Sequence, residues 1–372
     1  HIPVQHAPCI PPAPFPKDLK TLTSLRFWAA LWVVLFHYLP YAGPEAMGFP
    51  LLIKGYLGID FFFVLSGFVL AHVYGESIRT GTYSHPDFIL KRIARIYPMH
   101  IVTLAFFVIV ALAAPAVGLT MDAADRYDFR LLPEHIFLVH AWVGTGEEFN
   151  YPSWSISAEF FAYLCFPIVM LLANRPRLMA GLGVVAVFGW YFGAIAVTGR
   201  TSTGLNDWQI MRIMPEFLLG AGLRQLMGQM RLPLLSNRHA TLTTGMAVLI
   251  LAALDAPDWL LIGLLIALLA AAAERARSGR ESVLENKTSL YLGEISYALY
   301  MVHVASAMAY FEITNRLFGV PEHVTWLSLA TTAGGVCVAI LAAAISERVI
   351  ERPGRKLIGR LGHLRPRRPK DA

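Results

Sequence analysis

The chain alternates long apolar blocks with short polar connections. A helix needs about 20 apolar residues to cross a bilayer. Ten blocks approach that length, at roughly 22–39, 57–74, 97–117, 153–173, 179–197, 210–227, 239–254, 258–273, 290–310 and 324–345. The pattern predicts an all-α polytopic membrane protein with about ten transmembrane helices. The two shorter blocks that flank residues 255–258 leave room for tilted or partly re-entrant helices.

Composition supports this class. Of the 372 residues, 56% are hydrophobic and only 15% are charged, and the mean hydropathy is +0.53. A soluble domain of ordinary composition has about 25% charged residues. The apolar residues are therefore too many, and too strongly grouped in blocks, for an ordinary soluble domain.

The basic residues predict the orientation of the helices. If the N-terminus lies in the cytoplasm and ten spans alternate, 24 of the 31 Lys and Arg residues fall inside and six fall outside. Positive residues concentrate on the cytoplasmic side of membrane proteins, so both termini are expected in the cytoplasm. The net charge of +6 then reflects topology and contact with anionic membrane lipids, and does not indicate nucleic-acid binding.

Outside the apolar blocks the chain has a simple organisation. Residues 1–16 are rich in proline and predict a flexible N-terminal tail, residues 17–355 form the membrane domain, and residues 356–372 form a basic cytoplasmic tail. The three cysteines have neither disulfide nor metal-site spacing, so no metal is predicted. No internal repeat is apparent, which weakens an interpretation as an inverted-repeat transporter.

The first apolar block contains a guanidinium and an imidazole, those of Arg26 and His37. Polar groups inside a membrane are costly and often functional. Their separation corresponds to about three helical turns, so they share one helix face about 16 Å apart. A helix with two polar groups on one face, at two depths, indicates that it lines a site. The alternatives are a histidine satisfied by a neighbouring helix and an arginine that extends to the headgroups.

The second and third blocks add four candidates. Asp60 lies beside a run of Phe, where its carboxylate is poorly solvated and should seek a partner such as His37, although it could also cap the helix. Ser66, followed by a glycine, permits close helix packing. Arg92 and Arg95 share one helix face and could bind the phosphates of an acidic ligand, although juxtamembrane anchors look the same.

Later blocks contain further polar residues. Glu159 follows Trp154 early in the fourth block, where a carboxylate needs a partner or an interfacial position. His303 lies deep in the ninth block, where a buried structural histidine is the simplest interpretation. Arg212 and Glu216 could pair across one turn of the sixth block.

Depth divides these candidates into two groups. The outer half of the bilayer is predicted to hold His37, Asp60, Glu159 and His303. The inner side is predicted to hold Arg26, Arg92 and Arg95. This order suits an anionic donor that arrives from the cytoplasm and an acceptor in the outer half, but it also suits a proton-coupled transporter.

Taken together, these motifs resemble the acyltransferase 3 family of bacterial integral-membrane O-acyltransferases. The family has an Arg, ten intervening residues and a His in its first span, like Arg26 and His37 here. The other similar segments are residues 58–68, 92–98, 154–159, 295–303 and 351–353. Phe160 stands where the family often has a second acidic residue. The matches follow one another in order over nearly the whole chain.

The resemblance implies ten spans in the bacterial cytoplasmic membrane, acyl-CoA as a cytoplasmic co-substrate with no permanently bound cofactor, and a hydroxyl acceptor. Acceptors in the family include exopolysaccharide units, O-antigen, peptidoglycan, lipids and macrolides. The opening segment, residues 22–31, is most similar to members that modify exopolysaccharides. The oligomeric state stays open.

From this resemblance we expect an O-acyltransferase that acetylates a bacterial exopolysaccharide or its lipid-linked precursor, with His37 as general base or transient acyl carrier. The expected catalytic residues are His37, Arg26, Glu159 and Asp60. The expected donor-binding residues are Arg26, Arg92 and Arg95. The expected acceptor-binding residues are Ser66, Trp154 and His303. The alternative is a polytopic transporter or flippase for glycans or lipids, without thioester chemistry.

Overall fold

The computed structural model describes residues 14–116, 124–143, 147–199, 209–235, 237, 239–279 and 282–363. All regular structure in this part of the chain is helical, which confirms the all-α class. The α-helices are α1 Lys20–Tyr38, α2 Pro50–Ile53, α3 Leu57–Arg79, α4 His85–Ala116, α5 Leu132–Ile136, α6 His140–Val143, α7 Trp154–Val169, α8 Pro176–Thr198, α9 Gln209–Gln229, α10 Ala240–Ala253, α11 Asp258–Arg277, α12 Lys287–Phe318, α13 Trp326–Ser346 and α14 Arg352–His363.

Ten of these helices coincide with the ten predicted apolar blocks: α1, α3, α4 and α7 to α13. Seven helical segments in the described residues are long and apolar enough to cross a membrane. The other three are α9, α10 and α12. Helix α10 has only 14 residues, and α9 carries Arg212, Glu216 and Arg224. Length and composition therefore establish seven candidate spans.

Two helices extend well beyond their predicted blocks. Helix α4 begins at His85, far before residue 97, and α12 continues to Phe318. Hydropathy marks the part of a helix that suits the bilayer, but the backbone hydrogen bonds continue into polar sequence. The extension of α4 incorporates Arg92 and Arg95 in a continuous helix, which fixes their directions relative to the helices around them.

Glycines allow the closest helix pair to form. Gly67 of α3 faces the backbone carbonyl of Phe217 on α9, and Gly220 of α9 faces the carbonyl of Val64 on α3. A Cβ atom at either glycine would collide with that backbone. Small residues commonly permit such contacts between membrane helices. This confirms the packing predicted for the segment at Ser66 and brings α9 against the middle of α3.

The C-terminal part folds back onto α4. A π-helical turn, Glu347–Glu351, joins α13 to α14, and Gly354 packs against Pro98 of α4. The first residues of the predicted C-terminal tail are thus helical. Residues 1–13 and 364–372, which include most of the two predicted tails, lie outside the described residues, as do residues 117–123 and 144–146 between the third and fourth predicted blocks.

Candidate active site

Helix α1 presents Arg26 and His37 to two separate cavities. Arg26 lines a small space of about 120 Å³, which we call the arginine pocket. His37 lines a larger space of about 650 Å³, which we call the histidine cavity. The arginine pocket is further lined by Ser66, Arg92, Arg95, Glu159, Tyr163, Tyr297 and neighbouring apolar residues. The spacing of Arg26 and His37 predicted one helix face that lines a site. In the structure this face borders two cavities, at two levels of α1.

His37 forms a pair with the second predicted histidine. Its Nδ1 lies 2.8 Å from Nε2 of His303, and the two rings are stacked at 16°. Nδ1 of His303 lies 2.6 Å from the carbonyl oxygen of Tyr300. Tyr38, the residue after His37, donates a hydrogen bond of 2.7 Å to the carbonyl of His303. The structure thus places His303 behind His37, fully buried, and not in the wall of the histidine cavity where an acceptor would contact it.

The histidine cavity is mainly aromatic and apolar. Tyr41 and Phe311 stack in its wall with ring centroids 3.8 Å apart, and Tyr151 meets the ring of His37 edge-on. Arg126 lies over the ring of Tyr151 at 4.8 Å. The other lining residues are Tyr38, Pro40, Phe107, Val110, Ala114, Tyr127, Phe149, Val304, Ala307, Met308, Glu312 and Asn315. Binding cavities for organic ligands typically have this mixture of apolar surface and a few polar groups.

The arginine pocket contains cations without carboxylate partners. Among the described residues, Arg26 and Arg92 form no ion pair, and the Nε atom of Arg92 is buried without a hydrogen-bond partner. The guanidinium of Arg92 lies within 6 Å of the rings of Tyr74, Phe88 and Tyr163, at 5.8, 5.8 and 5.9 Å. Buried charges without partners are costly, so this pocket suits an anionic ligand.

Arg95 is engaged differently. It forms an ion pair with Glu351, whose side chain is fully buried at the end of the π-helical turn before α14, and it lies over the ring of Tyr297 at 5.4 Å. The Glu-Arg-Pro segment that resembled the family thus lies at the edge of the arginine pocket. Sequence spacing alone gave no reason to pair Arg95 with a residue so distant in the chain.

Glu159 belongs to the arginine pocket and not to the level of His37. Ser66 donates a hydrogen bond of 2.6 Å to Oε1 of Glu159. Both were expected near the acceptor, with Glu159 in the outer half. The reason for the difference lies in α3, where Ser66 is six residues beyond Asp60, or about 9 Å along the helix axis. The structure therefore groups Glu159 with Arg26, Arg92 and Arg95, whereas the sequence had grouped it with His37.

Asp60 has a partner other than the expected His37. Its Oδ1 accepts a hydrogen bond of 2.7 Å from Nε of Arg212 and one of 3.1 Å from Tyr191. A second bond joins Oδ2 to Arg212, so the contact is bidentate. Glu216 shares the same tyrosine. The apolar block could not reveal this, because the partners are far apart in sequence and meet only through the α3–α9 contact. The expected Arg212–Glu216 pairing across one turn is replaced by the bond to Asp60.

Trp154 contacts this cluster and not the cavities described above. Its ring lies under the guanidinium of Arg212 at 5.7 Å and against the ring of Phe63 at 6.0 Å. Trp154 is buried, so its expected contact with an acceptor has no open surface in this structure.

Tyr300 lines a small space beside the arginine pocket and also approaches the histidine pair. A space of about 70 Å³ adjoins the arginine pocket, with which it shares Arg26, Phe62, Glu159 and Tyr297, and ends at Ser155 and Tyr300. The Tyr300 hydroxyl donates to the carbonyl of Pro152 and lies 2.8 Å from Oγ of Ser155. The ring of Tyr300 is 5.8 Å from that of His303. Tyr300 was not among the predicted site residues. It lies three residues before His303, in the segment 295–303 that resembled the family.

A separate group of histidines lies near α5 and α6. The rings of His135 and His140 stack with centroids 3.9 Å apart, and His100 of α4 donates from Nε2 to the carbonyl of His135 at 2.7 Å. All three Nδ1 atoms are buried without partners. Burial, and then the charge of His100, lower the pKa of His135 to about 3. These rings are therefore neutral near pH 7.

The two cavities together can support acid–base chemistry beside an anionic ligand. A neutral imidazole can take a proton from a hydroxyl, and arginines can hold phosphate groups through their planar forks. Tyr300 lines the small space beside the arginine pocket, and its ring lies close to His303, the partner of His37. A reaction that joins two substrates would therefore take place near His37 and Tyr300.

The family is established by comparison with known proteins. The model of the acyltransferase 3 family, described as an acyltransferase domain, matches residues 19–347. The chain belongs to this family. Together with its long apolar helices, this defines a membrane acyltransferase.

Two of three similar proteins carry an acyltransferase name. The chain is 30% identical to the acyltransferase MdmB of Streptomyces mycarofaciens, over 92% of this chain and 93% of that protein. It is 35% identical to protein 2 in the picA locus of Rhizobium radiobacter, over 30% of this chain and 56% of that protein. SACOL0978 of Staphylococcus aureus (strain COL), whose name assigns it provisionally as an O-acetyltransferase, is 23% identical over 91% of this chain and 58% of its own length. No solved structure matches.

Proposed function

We propose that the protein transfers an acyl group, most simply acetyl, from cytoplasmic acyl-CoA to a hydroxyl of a bacterial exopolysaccharide or its lipid-linked precursor. The observation that carries the proposal is the position of His37, which is bonded to His303 on one side and lines the large histidine cavity on the other. The O-acetyltransferase name of the Staphylococcus relative is consistent with this reaction.

The arginine pocket is the donor site in this proposal. CoA carries phosphates at its nucleotide end and a thioester at the end of a long flexible arm. Arg92, which lacks a carboxylate partner among the described residues, would hold the phosphates together with Arg95 at the edge. Arg26, which also has no ion pair there, would lie beside the arm that carries the thioester. Glu159, held by Ser66, limits the positive charge of the pocket and directs the arm past Arg26.

The histidine cavity is the acceptor site. The flat rings of Tyr41, Tyr151 and Phe311 suit the C–H faces of a sugar, and the polar ends of Arg126 and Glu312 suit its hydroxyls. The apolar part of the wall, formed by α4 and α12, would accommodate the lipid portion of a lipid-linked precursor.

The chemical step begins at the acceptor hydroxyl. His37 removes the proton from the acceptor hydroxyl, and the oxygen attacks the carbonyl carbon of the thioester. The C–S bond breaks, an ester C–O bond has formed, and the CoA thiolate takes the proton from His37. In a two-step route, the same imidazole first attacks the thioester, the C–S bond breaks and the CoA thiolate leaves. The acceptor hydroxyl then attacks the acyl-imidazole, the C–N bond breaks, and the hydroxyl proton passes to the thiolate. In both routes the thioester would reach His37 past Tyr300, which lines the small space beside the arginine pocket and whose ring lies 5.8 Å from that of His303.

Ten membrane crossings complete the proposal. Helices α9, α10 and α12 would cross together with the seven apolar segments, and both termini would lie in the cytoplasmic side of the bacterial inner membrane. The excess of Lys and Arg in the predicted inside segments supports this orientation. The arginine pocket then faces the cytoplasm, where acyl-CoA is available.

Transfer can be tested without knowing the acceptor. The purified protein in proteoliposomes is given radiolabelled acetyl-CoA and polar and lipid extracts from cells that lack the gene, which contain unmodified acceptor. We expect label to enter an extract component and free CoA to be released with it. His37→Ala should lower this transfer by at least about 10²-fold. The control is His323→Ala, because His323 is exposed and lines neither of the two cavities.

Two outcomes would contradict the proposal. A folded His37→Ala protein that transfers acetyl at the wild-type rate would remove His37 from the mechanism. Movement of a glycan or lipid across the vesicle membrane, without any cleavage of acetyl-CoA, would favour the transporter or flippase hypothesis.

Orientation has its own test. In a variant without its native cysteines, one new cysteine replaces exposed Phe137 or exposed Asp87. In intact spheroplasts, an impermeant thiol reagent should label the cysteine at position 137 directly and the one at position 87 only after lysis. The reverse result would put the arginine pocket on the side that lacks acyl-CoA.

A further inference from the structure

The hydrogen bonds around His303 determine which nitrogen of His37 carries hydrogen. A carbonyl oxygen only accepts, so Nδ1 of His303, 2.6 Å from the Tyr300 carbonyl, must be the protonated nitrogen. In a neutral ring, Nε2 of His303 is then an acceptor. That nitrogen lies 2.8 Å from Nδ1 of His37, which must therefore donate. The remaining nitrogen of His37, Nε2, has a free lone pair.

A charged His303 is disfavoured in this position. The side chain is fully buried, and among the described residues neither histidine of the pair has a carboxylate within hydrogen-bond distance. A buried imidazolium without a counter-charge is costly, whereas a neutral ring with both nitrogens bonded is not. The neutral tautomer of His303 is thus the one that the surroundings stabilise.

The pair is held by the packing of α1 against α12. Tyr38 donates to the carbonyl of His303 at 2.7 Å, and both groups are buried. Lower in the same helix pair, Gly293 of α12 contacts the backbone of Thr23, where a Cβ would not fit. These contacts fix the two helices at two levels, so the rings are positioned by the fold and not by each other alone.

We infer that His303 is a positioning residue that sets the tautomer of His37, with Nδ1 as the hydrogen-bond donor and Nε2 as the atom that performs the chemistry. The inference rests on the proposed transfer reaction and deepens it. When Nε2 takes the proton of the acceptor hydroxyl, the positive charge on His37 is shared through Nδ1–H with His303 and the Tyr300 carbonyl. In the two-step route the acyl group can attach only to Nε2, because Nδ1 is engaged.

The activity test compares three substitutions at one position. His303→Gln places an amide oxygen near the former Nε2, where it can accept the hydrogen of His37, whereas the shorter side chain of His303→Asn falls short and His303→Ala offers no acceptor. We expect kcat for acetyl-CoA to fall about 10²-fold in the alanine and asparagine variants, and the glutamine variant to recover to within about 10-fold of wild type. KM for acetyl-CoA should change little in all three.

The results separate a positioning role from a structural one. Loss of folding alone would affect all three variants through thermal stability and would not give selective rescue by glutamine. If folded His303→Ala keeps wild-type kcat, or if asparagine rescues as well as glutamine, the inference is overturned.

A spectroscopic test does not depend on turnover. The ring nitrogens of ¹⁵N-histidine-labelled protein in lipid bilayers are observed by solid-state NMR, and the signals of His37 are assigned by their loss in His37→Ala. We expect hydrogen on Nδ1 and a bare Nε2 in the wild type, and a mixture of tautomers in His303→Ala. Hydrogen on Nε2 in the wild type would overturn the inference even if transfer is observed. The expected tautomer together with an absence of acetyl transfer would instead contradict the proposed function.

Discussion

Two clusters of buried charge contact helix α3, and they differ in whether their charges are paired. In the aspartate cluster (Asp60, Tyr191, Arg212 and Glu216), the carboxylate of Asp60 forms a bidentate bond with Arg212 and also accepts from Tyr191. These residues line none of the cavities described above. In the arginine pocket, Arg26 and Arg92 line an open space and lack carboxylate partners among the described residues. Paired charges join helices, whereas unpaired charges beside a cavity are suited to a ligand.

The distinction is not visible in the sequence. Asp60 and Arg26 are each one charged residue in an apolar block, and the same cost of burial applies to both. The bidentate contact that satisfies Asp60 forms only after α9 packs on α3. The catalytic role expected for Asp60 therefore has less support than that of Arg26. Substitutions in the two clusters test this difference.

The largest effect is expected in the aspartate cluster. Arg212→Met leaves the Asp60 carboxylate buried without its cation, which typically costs about 3–5 kcal/mol of stability. We expect a correspondingly lower unfolding midpoint in detergent. The double variant Asp60→Leu with Arg212→Met removes both charges and should recover most of the stability. An Arg212→Met protein of wild-type stability but without activity would show that the cluster takes part in catalysis.

Arg26→Met should affect catalysis more than folding. Arg26 has no ion pair to break among the described residues, so stability should change by less than about 1 kcal/mol. Because it lies where the thioester arm would pass, kcat should fall about 10²-fold, or about 2.7 kcal/mol in activation free energy. The measurement is initial rate against acetyl-CoA concentration, with Arg26→Lys as the control that keeps the charge. A loss of stability like that of Arg212→Met would make Arg26 a structural residue.

A smaller effect is expected from Arg92, which would bind the remote phosphates of the donor. Arg92→Met should raise KM for acetyl-CoA about 10-fold, or about 1.4 kcal/mol, with little change in kcat, because such a contact is made equally in the ground and transition states. Glu351→Gln gives the matched contrast, since it releases Arg95 from its ion pair and should lower KM. If neither variant changes KM, these arginines are membrane anchors.

The fold was more predictable than the site. The ten helices follow from the length of apolar blocks, a property of each segment alone, and their positions agree with the structure. The long extension of α4 and the partners of Asp60, Arg95 and His303 could not be predicted, because they depend on contacts between segments that are distant in sequence. The Arg26–His37 spacing was informative, since one regular helix is enough to place both residues on a shared face.

Tyr300 and Glu351 were not among the predicted site residues, although a signal for both was present in the sequence. Both lie inside segments that resembled the family, yet the predicted site residues were only those with obvious acid–base or phosphate-binding chemistry. A tyrosine close to the histidine pair, and a carboxylate paired with an arginine of the arginine pocket, act through position. That kind of role becomes visible only when both neighbours are known.

The smallest effect is expected at the histidines near α5 and α6. Their buried Nδ1 atoms have no hydrogen-bond partner, but the rings are neutral. Because the folded-state pKa of His135 is lowered to about 3, below the value of about 6.5 in an unfolded chain, the unfolded state binds more protons as the pH falls below 6.5. Stability is therefore present at neutral pH and is lost on acidification, by about 0.7 kcal/mol between pH 7 and pH 6.

His135→Gln cannot take up a proton and should reduce the shift of the unfolding midpoint between these two pH values. Equal pH dependence in wild type and His135→Gln would contradict this prediction, because the folded-state pKa of His135 would then be close to its value in the unfolded chain.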